Sequence, residues 1–152
     1  MGNPDGETPI GRYLWDVVTA ISREFEATLA EAGGSRPLWF VLLALIDHPG
    51  ASQREIAERV GVQDATLTHH LNAMEEAGLI RRYRASEDRR VQRIELTTEG
   101  HALFDRVRTA AMDFDRRLRE GVPEEDLALL RETLSRMLAN VAGKTRVDPT
   151  VA

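Results

Sequence analysis

Between Ser52 and Gly100 the chain carries two short helix signals separated by a glycine turn, followed at once by two arginine-rich strand signals. Few architectures accept that order. Ser52-Gln53-Arg54-Glu55 is a capping box: the serine hydroxyl accepts from the backbone at Glu55 while the glutamate reaches back to the Ser52 amide. Ile56, Ala57 and Val60 form the apolar side of the helix it opens, and Gly61 can take the left-handed conformation that ends it. After a tight turn through Val62 and Gln63, a second helix runs over 64–77, with Leu67, Leu71 and Met74 on one face and Gly78 closing it. Segments 79–84 and 91–96 then read as two strands joined by the polar tip 85–90. Two helices around a short glycine turn with a hairpin behind them make a winged helix-turn-helix.

The flanks read as helices. Ile10, Tyr13, Leu14, Val17, Val18, Ile21, Phe25 and Leu29 recur at steps of three and four up to Gly33 and Gly34. The run 38–46 is apolar nearly all round, as in a buried helix, and is stopped by Pro49 and Gly50. Thr97 or Thr98 caps a long helix ending near Gly121, and Pro123 opens a last one striped by Leu127, Leu130, Leu134, Met137, Leu138 and Val141. The expected fold is mainly α with a small β-hairpin wing. Residues 1–152 are expected to form one domain: a lobe over 37–97, dimerisation helices over 9–34 and 98–142, and a tail over 143–152. Two long helices with wide apolar stripes beside a lobe too small to cover them call for a second copy.

A DNA-binding reading has to meet a net charge of -5, because phosphate contacts need local positive charge. Six arginines stand against two acids over 81–93, an excess of four positive charges, so the sequence places a basic edge on an acidic body. Major-groove reading asks for a helix whose apolar face holds it on the domain and whose polar face is free. At 100° per residue, Thr66, His69 and Asn72 point away from Leu67, Leu71 and Met74, with Gln63, Asp64 and Thr68 flanking them. The expected DNA contacts are therefore Gln63, Asp64, Thr66, Thr68, His69 and Asn72, with Arg82, Arg84, Asp88, Arg89 and Arg90 from the hairpin. At its tip, Asp88 can orient a guanidinium so that Arg89 enters a narrow minor groove. The rival reading of Arg89 is a solvated loop charge.

Other chemistries find little footing. No cysteine is present, which removes disulfides, thiolate metal sites and thiol redox sensing. His69 and His70 are neighbours pointing about 100° apart on one helix, and no second ligand pair is spaced for a metal. No phosphate-binding glycine loop or Ser/His/Asp grouping stands out, so neither an enzyme nor a cofactor is expected. No apolar run reaches the roughly 18 to 20 residues of a membrane span, and 1–8 lack the features of a signal peptide, so a cytoplasmic location is expected.

The stretch SQREIAERVGVQDATLTHHLNAMEEAGLIRRYRASEDRRVQRIELTTEG resembles the MarR (multiple antibiotic resistance regulator) transcription factors. The likeness lies in the order of helix, Gly-Val turn, recognition helix, EEAGLI, EDRR wing tip and LTTEG, and extends over about 10–141. The resemblance implies a ligand-responsive homodimer, a repressor by preference, on a palindromic operator. It implies interlocking terminal helices and, in many members, a small ligand between the dimerisation helices and the lobe. Asp88 and Arg89 match the family's wing pair, and Thr66, Thr68 and His69 its recognition-helix contacts. Tyr13, Trp15 and Trp39 fall where related proteins form the crevice, so they are the candidate contacts for a small aromatic or phenolic effector; core packing is their rival explanation. One departure stands out. Members often carry arginine near the positions of Asp64 and His69, whereas 64–80 here contain no Lys or Arg. That keeps alive a small-molecule-binding protein, or a protein-interaction module, with weak or lost DNA binding.

Overall fold

The computed structural model describes residues 8–84 and 92–142. Among them are six helices and one antiparallel hairpin: α1 (Ile10–Glu31), α2 (Arg36–Asp47), α3 (Gln53–Val60), α4 (Asp64–Glu76), β1 (Ile80–Arg84), β2 (Gln92–Leu96), α5 (Thr98–Leu118) and α6 (Glu124–Ala142). The chain divides into two compact units, 1–115 and 116–152.

Local signals account for the boundaries in the first unit. Ser35 caps α2, accepting from the Leu38 amide at 3.4 Å, with Pro37 in the first turn. The capping box at the start of α3 is fully formed, with the Ser52 amide donating to Glu55 Oε2 at 2.7 Å. Gly61 ends α3 at φ +70, a conformation a Cβ would strain. Thr97, rather than Thr98, caps α5 by accepting from the Gly100 amide at 3.1 Å.

The core of this unit gathers one face from nearly every element. Leu29 of α1, Val41 and Leu42 of α2, Ile56 of α3, Leu67 and Leu71 of α4, Ile94 of β2 and Val107 of α5 are fully buried. Each such side chain contributes about 1.5–3 kcal/mol relative to exposure. The apolar stripe of α4 is thus spent inward, which leaves its other face outside. Phe25 packs against Phe114 with ring centroids 5.2 Å apart.

β1 and β2 pair in the register Ile80↔Leu96 through Arg84↔Gln92. A third short rung was not apparent from the sequence: Ser52 bridges Arg93, and the Ile94 amide donates to the Ala51 carbonyl at 3.3 Å. The wing is therefore anchored to the residues just before α3 as well as to its own hairpin partner.

In the second unit, α6 carries acids in its first turn, favourable at the positive end of a helix dipole. Glu124 pairs with Arg119 at 2.7 Å and Arg131 at 3.4 Å. Leu129, Leu130, Leu134, Leu138 and Val141 are exposed.

Candidate nucleic-acid interface

The polar face of α4 matches the helical-wheel expectation at its three central positions: Thr66, His69 and Asn72 are exposed while Leu67, Leu71 and Met74 are buried. Gln63 precedes the helix and is exposed, and Asp64 opens it. Thr68 is placed differently, half-buried, with its hydroxyl accepting from Gln53 Nε2 at 2.6 Å. That bond ties α3 to α4 and gives Thr68 a positioning part in the helix pair. The His69 and His70 rings lie 5.9 Å apart. Among the described residues no group of three or more metal-ligating side chains forms.

The wing arginines divide sharply. Arg81 pairs with Glu95, the residue directly opposite on β2. Arg93 donates through Nη1 to the Gly50 carbonyl at 2.6 Å and fixes β2 to the α2–α3 connection. Arg82 is only 12% exposed; its Nε faces Glu75 Oε2 at 3.5 Å, its backbone amide donates to Glu75 Oε1 at 3.3 Å, and its Nη2 donates to Asn72 Oδ1. Among the described residues, only Arg84 of the strand arginines is exposed and has no partner given by its neighbours. Asp88, Arg89 and Arg90, the expected tip contacts, lie outside the described residues.

The basic edge inferred from charge counting is therefore largely internal wiring at its base. Arginines at β1 and β2 hold the wing to α4, to its own partner strand and to the start of α3. Sequence reasoning missed Gln53 and Glu75, whose partners come from other elements. The one available signal was the hairpin register, since a short tip sets Arg81 opposite Glu95.

Glu55, on the α3 side of this junction, has its carboxyl held below the ordinary range by hydrogen bonds from the Ser52 amide and hydroxyl, with smaller help from Arg93 and Arg59. The aromatic trio proposed for an effector separates in exposure. Trp39 stacks on Phe104 at 5.9 Å and 11°, packed against the core, whereas Tyr13 and Trp15 are 58% and 73% exposed on α1. A cavity of about 200 Å³ lies between α2 and the inner side of α4, lined by Ser35, Leu38, His70, Ala73, Met74 and Leu79.

The sequence pattern of the MarR family matches residues 35–91, from the cap of α2 through the wing tip. The transcriptional regulator PA3341 is 34% identical over 90% of this chain and the whole of its own, superposing with a TM-score of 0.71. The chain belongs to the MarR family. The transcriptional repressor CouR, solved on a 23-mer DNA duplex, is 30% identical over 88% of this chain and 92% of its own, with a TM-score of 0.74. The regulator PecS of Dickeya dadantii (strain 3937) is 34% identical over 102 residues, 64% of this chain. The matched stretch spans about three fifths of the length of the curated relatives. MarR proteins are helix-turn-helix transcription regulators and not enzymes, and the element order found here is theirs.

Proposed function

We propose that this MarR protein is a sequence-specific DNA-binding regulator, acting as a homodimeric, ligand-responsive repressor on a palindromic operator in the cytoplasm. The observation that carries the reading is the exposed row Thr66, His69 and Asn72 on a helix whose opposite face is locked in the core beside the wing. Such a helix fits a major groove roughly 12 Å wide, with its N-terminal half toward the bases. Thr66 and His69 would read base edges, Gln63 and Asp64 flank them, and Arg84 with the tip residues Asp88, Arg89 and Arg90 would reach backbone and minor groove. CouR, a repressor bound to duplex DNA, supports the placement at 30% identity.

A second copy accounts for the exposed apolar side chains: Ile10, Tyr13 and Val18 on α1 and, separately, Leu130, Leu134, Leu138 and Val141 on α6. An effector contacting Tyr13, Trp15 and Trp39, small and aromatic or phenolic, would act by changing the spacing of the two lobes.

The test is fluorescence anisotropy with a labelled duplex from upstream of the protein's own gene, at two salt concentrations and against unlabelled random DNA. Tight binding that survives the competitor and weakens with salt is expected. Arg89→Ala is expected to lose much of that affinity. Thr66→Ala and His69→Ala are expected to change sequence preference more than overall binding. Failure of every duplex to bind in a salt-dependent way would refute the reading.

A further inference from the structure

Asn72 sits on the outward face of α4, where an asparagine ordinarily has two ways to meet DNA. Free to rotate about its last torsion, it can accept from adenine N6 and donate to adenine N7 in one bidentate contact, or it can donate alone to an acceptor. In this structure the choice is constrained from behind. Arg82 Nη2 donates to Asn72 Oδ1, and a guanidinium has donors only, so the atom facing it has to be the amide oxygen. The amide orientation follows from that chemistry and does not depend on telling oxygen from nitrogen by shape.

Arg82 is itself held. Its side chain is 12% exposed, its Nε faces Glu75 Oε2 at 3.5 Å, and its backbone amide donates to the same carboxylate. Asn72 and Glu75 are three residues apart and share a face of α4, so the strand arginine meets both at once. The Nε is buried without a hydrogen bond of its own, leaving the ion pair with Glu75 as its compensation. A guanidinium so placed has little freedom to leave Asn72.

We propose that Arg82 holds the Asn72 amide with its oxygen toward β1, so that Asn72 meets DNA through its Nδ2–H donors. With Oδ1 turned to β1, the side chain offers DNA its Nδ2–H bonds and takes a hydrogen-bond acceptor: a phosphate oxygen, or the major-groove acceptors of guanine or thymine. It disfavours adenine, because the bidentate contact needs oxygen and nitrogen facing the base together and Arg82 holds the oxygen toward β1. Arg82, which the charge pattern suggested as a DNA contact, acts as a positioning residue for the amide. This inference rests on the reading of α4 as the groove-facing helix.

The test is selection of preferred duplexes from a randomised library by the full chain as wild type, Asn72→Ala, Arg82→Met and Arg82→Lys, with affinities measured on the winners. If the acceptor is a base, wild type selects guanine or thymine at one pair per half-site and Asn72→Ala flattens that preference. Arg82→Met, which frees the amide to turn, then admits adenine there, and Arg82→Lys, which keeps a donor, does not. If the acceptor is a phosphate, Asn72→Ala and Arg82→Met lose about fivefold to tenfold alike on every duplex with the preference unchanged. Arg82→Met then adds no further loss in the Asn72→Ala background, whereas a purely structural Arg82 would add its loss there as well. A purely structural Arg82 would not move the base chosen at a single pair. Selection of adenine by wild type at the pair that Asn72→Ala flattens overturns the proposal. So does an Asn72→Ala protein that binds and selects as wild type does, even if Arg82→Met fails to fold. A wild-type protein that enriches nothing and shows no salt-dependent binding overturns the groove-facing reading first, and this inference with it.

Discussion

Gly100→Ala is expected to damage this fold far more than its single methyl suggests. Gly100 lies in the first turn of α5, where a Cβ would stand 2.0 Å from the Leu79 carbonyl oxygen and 3.0 Å from Leu96 Cδ2. Carbon approaches a carbonyl oxygen comfortably to about 3.3 Å, so one backbone segment has to retreat by roughly 1.3 Å. Neither can do so freely. The Leu79 carbonyl accepts from the Thr97 amide at 3.0 Å, and Thr97 Oγ1 donates to the Gly78 carbonyl at 2.6 Å, so the end of α4 and the start of α5 are stitched at this point. Overpacking of this kind costs about 1–3 kcal/mol, and a lost hydrogen bond adds about 1. The better helix propensity of alanine returns less than about 1 kcal/mol so near a helix end. The net expectation is about 1–4 kcal/mol, or a melting temperature lower by roughly 2–16 °C for a chain of this size. Circular dichroism melts at one fixed protein concentration measure it, since a second copy would tie stability to concentration. Gly11→Ala is the control, because nothing lies within 4 Å of a Cβ there; it should melt at or slightly above wild type. A Gly100→Ala protein melting within 1 °C of wild type would refute the argument from the Leu79 carbonyl.

Three further outcomes are expected. Ser52→Ala removes the hydroxyl that accepts from the Glu55 amide, and a lost N-cap of this kind costs about 1 kcal/mol, read as a small drop in melting temperature. Glu55 has a folded-state pKa below its unfolded one, so its contribution is present above the ordinary carboxylate range and is lost as pH falls through the depressed value. Melts of wild type and Glu55→Gln should accordingly differ at neutral pH and converge in acid, and a gap that widens in acid would contradict the assignment. Arg84→Ala should weaken binding to all duplexes alike and reduce the slope of log affinity against log salt by about one, checked by anisotropy titrations across salt.

Periodicity and capping made most of the fold legible. The α3 capping box, the α4 apolar stripe and the Gly61 turn are local patterns, and a local pattern carries its own structural consequence. Ser35 illustrates the limit of such reading: it caps α2 two residues before the proline that looked like the start. The third rung between Ser52 and Arg93 joins residues 41 positions apart, and no periodicity encodes a pairing at that distance.

Charge was the least legible property, for a physical reason. A count of arginines over 81–93 measures how much positive charge the segment carries, not how much of it faces outward. Arg81, Arg82 and Arg93 are directed to Glu95, Glu75 and the Gly50 carbonyl, and a guanidinium with a protein acceptor attracts phosphate less than one without. The consequence reaches function through geometry. The contacts of Arg82 and Arg93 hold the wing against α4 and against the start of α3, so the angle between recognition helix and wing is set by an ion pair and hydrogen bonds at its root. On the proposed reading, a chain with no Lys or Arg over 64–80 draws its phosphate contacts from elsewhere, and among the described strand arginines Arg84 is the one left for them. On the same reading, specificity is separated from affinity, with neutral side chains on α4 to choose the sequence and wing arginines to supply the attraction.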